Sequence, residues 1–222
     1  MAFDILCDFD GTITTRDVTD FLLERFAAPG WRDWEARWEG GEIGSRECMA
    51  RQIELLRCSL AELETSLADV GIDPGFPTFL GLARSLGARL AVVSDGIDYA
   101  IRSILSNVGA GDVPVLANRL VREGERRFRL EHPHARTDCA SVAGTCKCAA
   151  AARQRTGTPV IMIGDGRSDF CASSAVDLVF AKGALADHCE REKRPYLRFE
   201  TFADLAAMLP GALIHLRGRE AA

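Results

Sequence analysis

Asp8 and Asp10 stand two residues apart in Asp8-Phe9-Asp10-Gly11-Thr12, at the end of a short apolar run. Side chains alternate along a strand, so both carboxylates are expected on one side of it. Two such acids repel each other unless a cation binds or one takes a proton. A hard, oxygen-seeking ion such as Mg2+ suits them. An Asp carboxylate can attack phosphorus and form an aspartyl-phosphate. A second acid nearby can protonate the leaving oxygen and later activate water. The plain alternative is a strand that ends in an Asp-Gly turn. A calcium loop is disfavoured, because the Asp-x-Asp-x-Asp-Gly-x5-Glu spacing is absent.

Two more acids follow another apolar run, in Gly164-Asp165-Gly166-Arg167-Ser168-Asp169. The glycines allow close backbone approach. Asp165 would complete a metal site with Asp8 and the backbone carbonyl of Asp10, with Asp169 as a supporting or water-mediated ligand. A dinucleotide fingerprint is a weak reading here, because its third Gly is missing. Ser94 ends a further apolar run before Asp95-Gly96, where its hydroxyl could hold a phosphoryl oxygen. Taken alone, Ser94 reads rather as a polar loop residue. Negative phosphoryl charge calls for fixed cations. The chain has 24 Arg but only 3 Lys, and Lys147 is the only Lys between Ser94 and the last acidic motif. Its alternative is a solvated surface side chain.

These residues need a scaffold. Apolar runs at 3–9, 89–94 and 159–164 read as strands of a parallel sheet, with shorter candidates at 113–117, 178–181 and 196–199. Ile101, Ile104, Leu105 and Val108 keep helical spacing between them, as do Phe202, Leu205, Met208 and Leu209 after an N-cap at Thr201. Alternating strands and helices predict an α/β fold, a Rossmann-like parallel sheet with helices on both faces. Such sheets bind ligands beyond the carboxyl ends of their strands. The stretch from 15 to 75 is too long for one crossover. Val18, Phe21, Leu22 and Phe26 form one apolar stripe. Met49, Ile53 and Leu56 form a second, with Ser45 as its N-cap. Ser59 to Glu62 is a capping box opening Leu60, Leu63, Leu67 and Val70. These predict an inserted helical cap at 15–75 over an α/β core of 1–14 and 76–222. Glu123-Gly124 marks the turn of a small hairpin.

Charged residues make up 27% of the 222 and the net charge is −5, with no basic block. That argues against nucleic-acid and membrane-surface roles. No run reaches the ~18 apolar residues that span a bilayer. The N-terminal stretch lacks a basic leader, and eight Cys in a chain this long do not form a small disulfide scaffold. The expectation is a cytoplasmic protein with reduced thiols, monomeric or homodimeric.

In its order of motifs (Asp-x-Asp-Gly-Thr, strand-Ser, Lys, Gly-Asp-Gly-x-x-Asp) the chain resembles the haloacid dehalogenase superfamily over nearly its whole length. The resemblance implies a Mg2+-dependent phosphatase acting on a small phosphorylated metabolite. Asp8 would be the nucleophile, Asp10 the general acid/base, Ser94 and Lys147 the phosphoryl holders, and Asp165 with Asp169 the late metal acids. Asp10 favours phosphatase over dehalogenase, since the dehalogenases lack that acid. The early helical insertion is similar to the phosphoserine-phosphatase-like branch.

His132-Pro133-His134 and Gly144-Thr145-Cys146-Lys147-Cys148 resemble, within that branch, the subgroup that acts on the methylthio-enol phosphate of methionine salvage. Ser94-Asp95-Gly96 departs from that subgroup's Ser-Gly-Gly, which makes Asp95 and Gly96 candidates for substrate contact. Phosphoserine and other small amine or alcohol phosphates are the alternative substrates. A cap acid that meets the substrate amine would fall near Asp17, which reads equally as an N-cap. Transfer of phosphate to another acceptor, or a non-catalytic regulator that binds a phosphometabolite, is a further alternative. Trp31, Trp34 and Trp38 share a helical face and read chiefly as cap core, with a lid over an apolar tail as the alternative. Cys139, Cys146 and Cys148 near His132 and His134 raise a structural zinc site, against which stands the lack of a Cys-x2-Cys knuckle.

Overall fold

The computed structural model describes residues 2–154 and 157–220. Seven strands form one sheet in the order β4-β3-β2-β1-β5-β6-β7. The central strand β1 (Phe3–Cys7) is buried throughout and pairs in parallel with β2 (Ala88–Ile97) and β5 (Val160–Gly164). Beyond these, β3 (Val115–Arg122) runs parallel to β2, while β6 (Leu178–Ala181) and β7 (Leu197–Arg198) extend the other edge. Near-continuous apolar runs are what a parallel sheet covered on both faces requires. The predicted hairpin is present: β4 (Phe128–Glu131) returns antiparallel to β3, closed by Glu123 N–H on Arg127 O at 2.9 Å.

Side-chain alternation divides the core. Phe3, Ile5 and Cys7 pack into the large cluster that holds Phe76, Phe79 and Leu80 of α5 (Phe76–Ser85) and Ile101, Ile104 and Leu105 of α6 (Asp98–Asn107). Leu6 faces the opposite cluster, with Ala150 and Ala151 of α7 (Lys147–Gln154). Asp4 shares Leu6's side of the strand. It is fully buried at the amino end of β1, where Arg89 donates to both its oxygens at 2.7 Å and Thr158 donates at 2.8 Å. Helix α8 (Gly183–Arg191) covers β6.

Four helices lie between β1 and α5: α1 (Val18–Phe26), α2 (Trp31–Glu39), α3 (Ser45–Ile53) and α4 (Leu60–Leu67). The Ser59–Glu62 capping box forms as expected. Ser45 does not cap α3: the N-cap is Gly44, and Ser45 is the first helical residue with its hydroxyl turned elsewhere. The final helix α9 (Phe202–Glu220) starts where predicted, with Asp204 N–H on Thr201 Oγ1 at 3.3 Å. It runs on through Pro210, which offers no N–H to the preceding turn. Among the described residues no helix is long and apolar enough to cross a membrane.

Two strand expectations need correction. β1 stops at Cys7 rather than continuing to Phe9. The chain then turns: Phe9 O accepts from the N–H groups of Thr12, Ile13 and Thr14, with Gly11 at φ +69°. Strand alternation therefore does not govern Asp10. Likewise β3 begins two residues later than the run from Val113 suggests and extends into the hairpin.

Candidate active site at the carboxyl edge of the sheet

Asp8 sits one residue past β1, its N–H on Ile163 O at 2.9 Å. By alternation it follows Asp4 and Leu6 onto the α7 side, and α7 begins with Lys147. The Lys147 ammonium meets Asp8 Oδ2 at 2.7 Å, Asp169 Oδ1 at 2.6 Å and Ser168 Oγ at 2.9 Å. Lys147 is 2% exposed. Burial works against its charge, but Asp169 and Asp8 hold the ammonium protonated well above the ordinary lysine range.

The glycines beside the acids have no room for a side chain. A Cβ on Gly164 would collide with Asp169 Oδ2, and one on Gly11 would lie 2.6 Å from Asp165 Oδ2. Thr12 donates to Asp165 Oδ1 at 2.6 Å, and Asp165 N–H donates to Asp169 Oδ2 at 3.2 Å. Carboxylate oxygens of Asp8, Asp165 and Asp169 all lie within 4.8 Å of one another. Burial and the Asp8 charge raise Asp165 above its ordinary value.

Asp10 uses its side chain differently from the other three acids. Oδ1 accepts Val18 N–H at 2.9 Å, and Oδ2 accepts the Ser94 hydroxyl at 3.2 Å. Burial, and then the Asp8 charge, push it up to about 7 against the pull of those hydrogen bonds. Ser94, Asp95 and Gly96 fall where the β2–β3 register slips between Val93 and Ile97. Such a bulge re-aims side chains beside a site. Gly96 N–H donates to Ser94 Oγ at 2.9 Å, and a Cβ there would strike Asp10 Oδ2.

With all groups ionised, the four carboxylates of Asp8, Asp10, Asp165 and Asp169 surround the Lys147 ammonium, and Lys182 adds its charge near Asp165. The excess is two negative charges, which one divalent cation cancels. The donors are all hard oxygens, so this set fits Mg2+.

A cleft of about 180 Å³ opens from these residues towards the preceding helices. Asp17, Asp20, Glu35 and Trp38 line its far side. Asp17 takes the N-cap role on α1, accepting Asp20 N–H at 2.9 Å, and also lines the cleft. Solvent reaches Asp17 along the cleft, but the surrounding protein and the Asp10 charge push it up to about 8. Asp20 is pushed up to about 7 by desolvation and by Asp17 and Glu35. Glu35 is fixed by Gln52 Nε2 at 2.6 Å. The signal for Asp20 was available, since it lies one helical turn after Asp17 on the same face. Nothing in the spacing marked Glu35 or Gln52.

Asp95 lines the cleft, but its carboxylate is already engaged by the chain itself. Oδ2 accepts the Ser45 hydroxyl at 2.5 Å, and Oδ1 accepts Thr145 N–H at 2.8 Å and Asn118 Nδ2 at 3.2 Å. Asn118 Oδ1 lies 2.8 Å from His132 Nδ1. Asp95 thus braces the chain while it still lines the cleft, and its pairing with Ser45, Asn118 and Thr145 is what sequence reasoning missed. Trp31 alone is core. Trp34 and Trp38 are half-exposed, under Arg37 at 4.7 Å and Arg167 at 5.5 Å. Among the described residues only Asp8, Asp165 and Asp169 gather three metal-ligating atoms, so the thiols and His132 or His134 do not assemble a zinc site.

The profile of the haloacid dehalogenase-like hydrolases matches residues 5–174, and the chain belongs to that family. A 2-hydroxy-3-keto-5-methylthiopentenyl-1-phosphate phosphatase of Exiguobacterium sp. is 33% identical over 215 residues, covering 95% of this chain and 99% of its own. The phosphatase of the same name from Brevibacillus brevis is 32% identical over 209 residues, covering 92% and 94%. A solved structure of a phospho-aspartyl intermediate analogue of phosphoserine phosphatase superposes with a TM-score of 0.70 at 19% identity. It covers 94% of this chain and 98% of that one, a likeness of fold.

Proposed function

We propose that the chain hydrolyses a phosphomonoester of a small metabolite through a phospho-enzyme on Asp8, with Mg2+ as cofactor. The observation that carries this reading is the meeting of Asp8, Asp165 and Asp169 within 4.8 Å, with Lys147 on Asp8 and Asp10 lining the same cleft. Mg2+, held by Asp8, Asp165 and the Asp10 carbonyl with Asp169 in support, would offset the charge of the phosphoryl group.

An Asp8 oxygen attacks phosphorus, the ester P–O bond breaks, and Asp10 gives its proton to the leaving alkoxide. In the second half Asp10 takes a proton from water, and that water displaces Asp8 to release phosphate. A carboxyl near 7 suits both duties at neutral pH. Ser94 and Lys147 hold the phosphoryl oxygens. Residues 15–75 act as a cap over the core formed by 1–14 and 76–222. The cleft supports that division, because both segments line it. Closure of the cap excludes bulk water from the first step.

The names of the relatives support the methylthio-enol phosphate of methionine salvage as substrate. A second reading has its own observation: Asp17, Asp20 and Glu35 face the cleft, where they favour a phosphoester bearing a protonated amine. Eight cysteines in a chain of 222 residues do not make a small disulfide scaffold, which supports a reducing compartment, the cytoplasm. Phosphate release from a panel containing both substrate classes, with and without Mg2+, tests the reading against Asp8→Asn. Mg2+-dependent turnover that vanishes in Asp8→Asn supports it, and equal turnover in both proteins sinks it.

A further inference from the structure

Six of the eight cysteines are buried; Cys148 and Cys171 alone are partly exposed. These are the same two whose sulfurs touch, 2.9 Å apart. A disulfide holds its sulfurs about 2.05 Å apart, so closing this pair needs a combined shift of under about 1 Å. Small reagents have a way in: Cys148 lines an open groove of about 500 Å³ together with Cys139 and Cys146.

The location connects the pair to the site. Cys148 follows Lys147 at the start of α7, and Cys171 stands two residues after Asp169. The 2.6 Å ion pair between Lys147 and Asp169 bridges the same two segments. We propose that Cys148 and Cys171 are an oxidation site that closes to an intramolecular disulfide on contact with a hydroperoxide, fastening the start of α7 to the turn after Asp169.

The chemistry balances with the peroxide as the two-electron oxidant. One sulfur attacks the O–O bond, which breaks. The alcohol, or water from hydrogen peroxide, leaves with that thiol's proton and a sulfenic acid remains. The second sulfur attacks the first, the S–O bond breaks, and hydroxide leaves with the second proton as water. Two thiols and one hydroperoxide thus give a disulfide, an alcohol and water. A dithiol reverses the bond by exchange. The link closes a loop across 23 residues, which restricts the unfolded chain and stabilises the fold.

The test treats the folded full chain with hydrogen peroxide, removes the peroxide, unfolds the chain in urea, alkylates the remaining thiols with iodoacetamide and maps the peptides by mass. The expected result is a linked pair of peptides holding Cys148 and Cys171, released by dithiothreitol, with the other six cysteines alkylated. The thermal midpoint should rise on oxidation, and Cys171→Ser and Cys148→Ser should each abolish both the link and the rise. Alkylation at all eight cysteines after peroxide would overturn the proposal. So would a first link between Cys139 and Cys146, or an unchanged midpoint in the linked protein. No readout depends on phosphate release, so the result is independent of the proposed hydrolysis.

Discussion

The Ser45 hydroxyl donates to Asp95 Oδ2 at 2.5 Å, joining the first turn of α3 to the residue after Ser94. The other Asp95 oxygen takes Thr145 N–H, two residues before Lys147. One carboxylate therefore braces the helical segment, Ser94 and the approach to Lys147 together. Asp95→Gly should raise KM by about ten- to a hundredfold while kcat falls less, the loss expected for a hydrogen bond to a charged group of roughly 1.5–3 kcal/mol. Ser45→Ala should move KM the same way by less. Steady-state kinetics of both variants check this, and an unchanged KM in Asp95→Gly would refute the bracing role.

Removing Lys147 leaves Asp8 and Asp169 buried and uncompensated. Lys147→Met should destabilise the metal-free protein by about 3–5 kcal/mol. Adding Asp8→Asn should recover part of that loss, because one stranded charge is gone. Urea unfolding in chelator measures both, and a Lys147→Met protein as stable as wild type would show that the ion pairs contribute nothing.

Metal-free stability should fall as pH rises. Asp10 has its folded value pushed up to about 7 from an ordinary 3.8. Between those values the native state binds more protons than the unfolded chain, so unfolding free energy decreases with pH. The loss is complete above the folded value and amounts to at most about 4 kcal/mol. Melting curves from pH 4 to 8 in chelator should slope downward, and Mg2+ should flatten the upper end. A rise in melting temperature across that range would contradict the assignment.

Gly164 and Gly166 flank Asp165 but meet different surroundings. A Cβ on Gly164 collides with Asp169, whereas nothing lies within 4 Å of one on Gly166. Gly164→Ala should weaken Mg2+ binding more than tenfold, and Gly166→Ala should change it less than about twofold. Calorimetric titration of Mg2+ into each variant separates them.

Substrate charge can be read by neutralising the far side of the cleft. If a protonated amine sits against Asp20 and Glu35, Asp20→Asn and Glu35→Gln should each lower kcat/KM for amine-bearing esters by about three- to tenfold, in the range of a modest charge interaction. Neutral esters should be unaffected or improved. Equal effects on both classes would remove the amine reading.

The strands and acidic turns were legible because both depend on short stretches: an apolar run buried on two faces, then Asp-Gly. Lys147 was legible through scarcity, as one of few lysines in an arginine-rich chain. What stayed hidden were the partnerships between distant segments outside the series of motifs. Asp95 finds Ser45, Asn118 and Thr145 from three separate parts of the chain, and Cys171 finds Cys148 across a strand and a turn. Periodicity carries no record of such meetings. Asp10 joins Asp8 in one cleft as expected, but not through alternation: the strand ended before the motif did, and Gly11 turned the chain.

The ion pair of Asp4 with Arg89 also guards the chemistry from the opposite end of β1. The two residues are directly opposite in the β1–β2 register. A slip of one residue would break that pair and carry Asp8 through the sheet to the wrong face. The buried carboxylate at the strand's start thus acts as a proofreading mark for the one at its finish. Chains that pair out of step are penalised in folding long before any substrate could report the error.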